Sequence, residues 1–396
     1  MSETTFRLAR LGEDAAIIDF INDNFDMRLP LLNRPELYHH YYAGRGGVPQ
    51  FAVAEEDGRY VSAAGYILAN TRRKPDIWVS VWVAAKGHNG VGLELMNALP
   101  GAAAQGLAWG IMAIGVYITF RILDVADLTV DGSLATGGAV CVMLIRGGFN
   151  PWIALLCAML AGMLAGLVTG LFHTRCGIPA ILAGILTQLA LYSINLRIMD
   201  SKANQALSVD KYPLLLSQRY VRELSMNNPL PLLLLFTAAV IAILYWFFGT
   251  EKGSSLRATG ANPHMARAQG INTNSNIVLG LMVSNGLVAL SGALLAQYQG
   301  SSDINMGRGA IVIGLAAVVI GKALLGKRKN FALRLLTTAL GAVAYYFILA
   351  IVIWAGLSTT DLKLFSALVV TVFLAIPYLR KKWAAHHHAK GGSAVC

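Results

Sequence analysis

An uncharged apolar run fills residues 276–298, which read NIVLGLMVSNGLVALSGALLAQY. A helix that crosses the hydrocarbon core of a bilayer needs about 20 mostly apolar residues, and this run is long enough. Its polar members, such as Asn285 and Gln297, carry no charge. The stretch therefore predicts a membrane-spanning helix.

Eight further apolar runs follow Gly101 and are candidates for the same structure. The run at 132–145 is short and is preceded by polar residues, which predicts a bent or partly re-entrant element. Together the runs predict an all-α polytopic membrane protein of eight or nine transmembrane helices. The further runs are residues 102–120, 132–145, 150–172, 178–196, 230–248, 306–325, 331–355 and 362–379.

Composition and charge agree with lipid as the solvent. Hydrophobic residues make up 56% of the 396 positions and charged residues only 13%, whereas soluble proteins have about 25% charged residues. The net charge of +11 comes from basic residues that lie between the apolar runs, which is typical of membrane topology and not of nucleic-acid binding. The four cysteines are scattered, so neither a metal site nor a disulfide framework is expected.

The chain divides into three parts at a change of composition near Pro100. Residues 1–100 have alternating apolar patterns at Thr5–Leu11, Gln50–Glu55, Arg59–Leu68 and Ile77–Val83, which predict the strands of a small, incomplete α/β segment. Residues 101–379 form the predicted transmembrane domain. Residues 380–396 form a basic cytoplasmic tail, in which His386, His387 and His388 are interpreted as solvated residues and not as a metal site.

Basic loops predict the orientation of the helices, because loops rich in Lys and Arg stay in the cytoplasm. Arg380, Lys381 and Lys382 flank the last run, so the C-terminus is placed inside. Loops then alternate, and the inside set is 121–131, 173–177, 249–275, 322–334 and 380–396. Nine spans put residue 1 outside, so the side of the N-terminus stays open.

Small and polar residues within the runs suggest how the helices pack. Glycines four residues apart share a helix face and allow close contact between helices, as at Gly162, Gly166 and Gly170. The intramembrane polar residues either line a translocation pathway or form hydrogen bonds between helices. They are Gln188, Tyr192, Asn195, Asn285 and Gln297. No embedded charged residue stands clear of a helix end, so a carboxylate relay for proton or sodium coupling is not expected.

The loop at 256–273, LRATGANPHMARAQGINT, carries the most functional information. Asn262 and Pro263 are a capping residue and a first-position proline, and Gly270 is a stop signal. One or two helical turns are too few to be stable alone, so this amphipathic segment needs a partner surface.

This loop resembles the coupling helix of ATP-driven (ABC) importer permeases of the ribose and branched-chain amino acid type. The segments 120–133, 177–199, 285–294 and 311–321 also resemble that family, in a subgroup linked to amino acid uptake, including aromatic amino acids. The resemblance covers roughly residues 103–380. It implies a site for a separate ATPase at the coupling loop, where the residues expected to matter are Arg257, Gly260, Asn262, Pro263, His264, Arg267 and Gly270.

The resemblance further implies a division of labour in the bacterial plasma (inner) membrane. Two permease copies form the pathway, two ATPase subunits dock beneath them, and a periplasmic or lipid-anchored binding protein delivers the substrate. The chain itself would be no enzyme and would hold no cofactor, since ATP and Mg²⁺ belong to the ATPase. The pattern at Gly321–Lys327 lacks the Ser or Thr of a phosphate-binding loop and follows an apolar run instead of a strand, so it predicts no nucleotide site.

Residues 1–100 resemble the first half of a GCN5-related N-acetyltransferase. Gly90 and Gly92 before a helix match the loop that holds the acetyl-CoA pyrophosphate in that family, although Gly87 stands where the family has Gln or Arg. The family's later strands are missing, because Pro100 and Gly101 lead directly into an apolar run. A membrane-tethered acetyltransferase is therefore the alternative function, and a secondary transporter that needs no ATPase is a third.

Overall fold

The structure is a computed structural model of the 396-residue chain. It describes residues 5–24, 30–42, 48–56, 59–68, 77–84, 91–208, 211–212, 214–221, 228–326 and 330–354, together with 364, 367, 368 and 371. The chain forms two compact units, Met1–Leu93 and Glu94–Cys396. The predicted run at 362–379 and the tail at 380–396 lie almost entirely outside the described residues.

The first unit is a four-stranded antiparallel sheet with three helices. Its strands pair in the order β1, β2, β3, β4, and the side chains of Ile17, Ile21, Tyr42 and Phe51 are buried in its core. The elements are β1 (Thr5–Leu8), α1 (Asp14–Asn24), α2 (Pro30–Asn33), α3 (Pro35–Tyr41), β2 (Phe51–Glu56), β3 (Arg59–Leu68) and β4 (Ile77–Ala84).

One arginine joins β1 to the residue before α1 and to β2. The guanidinium of Arg7 lies 2.8 Å from a carboxylate oxygen of Glu13 and 2.8 Å from one of Glu55. Its hydrogen bond to Glu13 lowers the pKa of that carboxyl. The pair with Glu55 connects β1 to β2. In the pairing of these two strands, Arg7 lies opposite Val53.

The sequence predicts a helix at Leu93–Leu99 and a separate apolar run from residue 102, but the helix after β4 does not end before Pro100. A single helix, α4 (Val91–Tyr117), continues through Pro100 and then widens into a π-helix at Ile118–Leu123. Proline within a helix loses one backbone hydrogen bond, but neighbouring helices compensate for this loss in membrane proteins. Gly92 lies in the first turn of α4, and Gly90 lies outside the described residues.

The second unit is a helix bundle around one central helix, α11 (Thr273–Gln299), in which every residue from Ser284 to Tyr298 is buried. Helices α4, α5 and α6 pack against α11. The remaining elements are α5 (Thr129–Arg146), α6 (Pro151–Thr174), α7 (Ala180–Ile198), β5 (Asn204–Ala206), α8 (Pro229–Gly249), α9 (Glu251–Ala261), α10 (Pro263–Ala268), β6 (Ser301–Asp303), α12 (Ala310–Leu325) and α13 (Phe331–Trp354).

Six helices among the described residues are long and apolar enough to cross a membrane, fewer than the eight or nine predicted. The predicted runs at 132–145 and 306–325 became the shorter helices α5 and α12, which have 18 and 16 residues. The six are Leu99–Leu123, Pro151–Thr174, Ala180–Ile198, Pro229–Gly249, Thr273–Gln299 and Phe331–Ile353. The outer faces of α6, α7, α8 and α13 expose large apolar side chains, as lipid-facing helices do.

Glycines set the closest helix contacts. A Cβ atom on Gly166 of α6 would lie 2.9 Å from the Cα of Met282 in α11, and one on Gly170 would lie 3.0 Å from the Cα of Val278. Gly162 faces the backbone of Asn285 in the same seam. Close approach of this kind gives van der Waals contact where lipid removes the hydrophobic driving force.

The loops of the bundle gather at two ends. At one end, α9 packs against the π-helix that ends at Leu123. At the other end, β5 pairs with β6, so that Asn204 lies opposite Asp303, and the side chain of Arg146 donates to that of Gln205. This grouping agrees with the predicted alternation of loops, and the choice of the cytoplasmic end stays a prediction.

Candidate functional site

Two short helices, α9 and α10, make up most of the loop between α8 and α11. Thr250 caps α9 by accepting from Gly253 N at 3.3 Å. Asn262 caps α10, because its Oδ1 accepts from His264 N and Met265 N, both at 3.1 Å. Pro263 follows at the first helical position, where its missing N–H costs nothing.

The end of α10 and the packing of α9 both depend on glycine. Gly270 has a φ of +78°, a left-handed conformation that suits the residue after a helix. A Cβ on Gly260 would lie 2.8 Å from the Cα of Leu123, so α9 can rest on the π-helix only if this position has no side chain.

Two arginines expected to meet the ATPase also bind within the chain. The Nη2 of Arg257 donates to Phe248 O at 2.8 Å, at the end of α8. The Nε of Arg267 donates to Thr273 Oγ1 at 2.8 Å, at the start of α11. Both residues remain exposed, so their contact with a partner stays a prediction. Their bonds already tie α9 to α8 and α10 to α11.

The surface of α10 is free of packing on most sides. Among its six residues, all of which the structure describes, Ala266 alone is buried. His264 is exposed, and the apolar side chain of Met265 is 64% exposed. Sequence reasoning named His264 but not Met265. The available signal was a large apolar residue in a short helix whose other members are small or polar, apart from Pro263.

The polar residues proposed to line a pathway fall into two sets. Gln188, Tyr192 and Asn195 lie on α7, where Gln188 is half-buried, Tyr192 is 46% exposed and Asn195 is buried. The Oδ1 of Asn195 has no hydrogen-bond partner among the described residues. Asn285 and Gln297 lie instead in the buried part of α11.

Both α11 residues use their polar atoms in hydrogen bonds. Gln297 accepts from Leu215 N at 3.1 Å, and its Nε2 lies 3.4 Å from Cys141 Sγ. The Nδ2 of Asn285 donates to Leu281 O at 3.0 Å and to a carboxylate described next. Asn285 and Gln297 therefore form hydrogen bonds within the bundle. The sequence had left open whether they do this or line a pathway.

A buried polar cluster connects four helices near the middle of α11. Asp127, 3% exposed, accepts from Asn285 Nδ2 at 2.7 Å and from Thr129 N at 2.9 Å. Asn285 Oδ1 accepts from Ser133 Oγ at 2.7 Å. The hydroxyls of Thr129 and Thr169 lie 2.7 Å apart, and Thr169 donates to Thr187 at 2.9 Å. The cluster therefore holds α5, α6, α7 and α11 together.

A second carboxylate joins α5 to α12. Asp131, in the first turn of α5, accepts from Gly309 N at 2.9 Å and from Ile311 N at 3.0 Å. These backbone donors are at the start of α12, where a negative charge is favoured. Asp127 and Asp131 lie within the segment 120–133 that resembles the importer family, but no role was predicted for either residue.

The described residues contain no cluster of three or more His, Cys, Asp or Glu that could hold a metal ion. In the phosphate-loop-like pattern, Gly321 and Lys322 belong to α12 and Gly326 ends it. Lys327 lies outside the described residues. A nucleotide site of this type requires a glycine-rich turn after a strand. The described part of the pattern is instead the end of a helix.

Comparisons with known proteins agree on one family. The family model described as branched-chain amino acid transport system / permease component matches residues 99–377. The tyrosine transport system permease protein of Clostridioides difficile (strain R20291) is 41% identical over 282 residues, which are 71% of this chain and 91% of that relative. An uncharacterized protein of Rickettsia prowazekii (strain Madrid E) is 36% identical over 283 residues, 71% of this chain and 98% of the relative.

Among solved structures, the match to an inward-facing metal-chelate type ABC transporter covers 75% of this chain and 92% of the transporter chain. Its TM-score is 0.44 at 14% identity, a likeness too weak to carry an argument. The family match begins at residue 99, so the resemblance of residues 1–100 to an acetyltransferase gains no support from it.

Proposed function

The chain belongs to the family of branched-chain amino acid transport system permease components, and from this we propose that it is the membrane subunit of a bacterial ATP-driven importer. It resides in the plasma membrane and forms the pathway with a second permease copy. A separate ATPase subunit hydrolyses ATP, and a substrate-binding protein delivers the solute. The exposed helix α10 is the observation that carries the proposal.

The exposure of α10 supports docking of a partner there. A six-residue helix is too short to be stable alone, and the caps from Asn262 and Gly270 fix its position at the end of the bundle. Met265 offers a large exposed apolar side chain near the exposed polar residues His264 and Arg267, a mixture that suits a protein–protein contact. We propose that the ATPase covers this side chain.

The hydrogen bonds around α10 provide a route for movement into the membrane domain. Arg267 connects α10 to Thr273 at the start of α11. The Nδ2 of Asn276 donates to Ser255 Oγ at 2.6 Å and to Thr259 Oγ1 at 2.9 Å, which joins α9 to α11. A displacement of α10 by the ATPase would therefore move α11, which contacts α5 and α6 in the core. Switching of the pathway then follows from motion of packed helices as rigid elements.

The substrate proposed for this pathway is an aromatic amino acid, with tyrosine as the first candidate. The support is the tyrosine transport permease of Clostridioides difficile, which is similar over most of its length. Uptake of radiolabelled tyrosine by cells that carry the chain, compared with a deletion strain, tests this assignment. Equal tyrosine uptake in both strains would contradict it.

Met265→Asp is expected to weaken ATPase binding at least about tenfold, because a buried charge would replace an apolar contact. The tagged chain is purified from native membranes and the associated ATPase is detected by photolabelling with 8-azido-ATP. Ala203→Asp, at an exposed position next to β5 at the other end of the bundle, is the matched control and should retain the labelled subunit. Equal labelling in Met265→Asp and the control would contradict the docking role.

The same preparation separates the alternatives. A secondary transporter predicts tyrosine uptake by proteoliposomes that contain the chain without any ATPase. An acetyltransferase predicts binding of acetyl-CoA to the purified chain, which isothermal titration would detect. The permease proposal predicts neither result.

A further inference from the structure

A basic cavity of about 300 Å³ lies at the end of the bundle that also carries α9. Its lining residues come from the end of α4 and the π-helix that follows it, from α12 and its C-terminal Gly326, and from the start of α13. Three of them are the cations Arg121, Lys322 and Arg334. None of the lining residues that the structure describes is acidic. The full described lining is Tyr117, Arg121, Val318, Lys322, Gly326, Arg334, Thr337 and Thr338.

The three cations occupy corresponding positions at the ends of apolar helices. Arg121 lies two residues before the end of the first candidate span, Lys322 lies in the last turn of α12, and Arg334 lies in the first turn of α13. Helix ends of this kind meet the headgroup layer of a bilayer, where basic residues are favourable. The cavity is therefore at the depth of lipid phosphates.

Each cation has a large apolar neighbour that is also exposed. Phe120 is 44% exposed beside Arg121, Leu324 is 61% exposed two residues after Lys322, and Leu333 is 43% exposed beside Arg334. None of these three side chains is in the described lining; they form apolar surface at the helix ends that carry the cations. A phospholipid presents a charged headgroup and acyl chains together, and so matches both features.

Helix electrostatics add to the attraction for an anion at α13. The first backbone N–H groups of a helix form its partially positive end, and Arg334 adds a full positive charge there. Asn330 caps this end by accepting from Ala332 N at 3.1 Å.

We propose that this cavity binds the phosphate-bearing headgroup of an anionic phospholipid in the leaflet on the α10 side. Basic pockets between transmembrane helices recognise such headgroups through charge and hydrogen bonds. The bound lipid would bridge α4, α12 and α13 at their ends, in addition to the direct packing of these helices at Gly106 and Gly314. None of the described lining residues belongs to α9 or α10, the helices proposed to meet the ATPase.

Thermal melting of the detergent-purified chain with added phosphatidylglycerol tests the proposal. Phosphatidylglycerol should raise the melting temperature, whereas phosphatidylcholine or inorganic phosphate at the same concentration should not. Arg121→Gln should weaken the apparent affinity for phosphatidylglycerol about fivefold, because each basic residue near the lipid surface contributes by about that factor. Lys322→Gln serves as a second variant with the same expected effect.

The matched control is Arg175→Gln, an exposed arginine between α6 and α7 that does not line the cavity. It should bind phosphatidylglycerol as the wild type does. Equal weakening in Arg175→Gln would show a general charge effect and would overturn the proposal. Unchanged affinity in both cavity variants, or equal stabilisation by inorganic phosphate or phosphatidylcholine, would also overturn it.

Discussion

Asn285→Leu is expected to lower the free energy of unfolding by about 3 kcal/mol, since it leaves a buried carboxylate and a buried hydroxyl without their partner. Asn285 donates to Asp127 at 2.7 Å and accepts from Ser133 at 2.7 Å. All three side chains are buried, so water cannot replace the lost bonds at low cost. Thermal melting of the purified variant in detergent measures the loss.

Ser284→Ala is the matched control for this change. Ser284 precedes Asn285 in α11 and is equally buried, and its hydroxyl donates to Gly115 O at 2.8 Å. Its loss removes one neutral hydrogen bond, which is worth about 1 kcal/mol. If Asn285→Leu melted at the temperature of Ser284→Ala, the buried cluster would not have the structural role described.

Gly166→Val is expected to destabilise the bundle by more than about 3 kcal/mol, because the new side chain would overlap a backbone rather than a movable side chain. A Cβ at this position would lie 2.7 Å from the carbonyl carbon of Leu281 and 2.9 Å from the Cα of Met282. Relief requires α6 to separate from α11. The yield of monodisperse protein in size-exclusion chromatography and its melting temperature measure the effect.

Gly249→Val controls for the change of glycine to a β-branched residue. Gly249 is the last residue of α8, and a Cβ there would have no atom within 4 Å. This variant should be recovered nearly as well as the wild type. A Gly166→Val protein that behaved like Gly249→Val would show that α6 and α11 are not in close contact.

The long apolar helices were predictable because length and lack of charge are local properties. The predicted runs at 150–172 and 230–248 correspond to Pro151–Thr174 and Pro229–Gly249. In both, an asparagine cap and a proline mark the start. The mostly helical membrane architecture of the family is therefore confirmed, and the total number of spans stays a prediction.

The buried cluster was not predictable, because it depends on which helices meet. Asp127 and Asn285 are 158 residues apart in sequence, and neither position is unusual when taken alone. Helix α9 was interpreted as loop because it is polar. In the structure it is a helix, because Leu256 is buried and because Asn276 of α11 donates hydrogen bonds to Ser255 and Thr259.

The candidate docking helix was found from its caps, but its contacts were only partly foreseen. Asn262, Pro263 and Gly270 have local roles that the sequence shows directly. The bonds of Arg257 and Arg267 depend on the ends of α8 and α11, which the sequence does not place. Exposure of Met265 is likewise a property of the folded bundle.

Labelling with a membrane-impermeant maleimide tests the central claim that α10 faces the cytoplasm, where a separate ATPase can reach it. In a background with the four native cysteines replaced by serine, Ala268→Cys probes α10 and Ala203→Cys probes the opposite end; both positions are exposed. We expect intact cells to label Ala203→Cys and to label Ala268→Cys only after permeabilisation. Labelling of Ala268→Cys in intact cells would contradict the account.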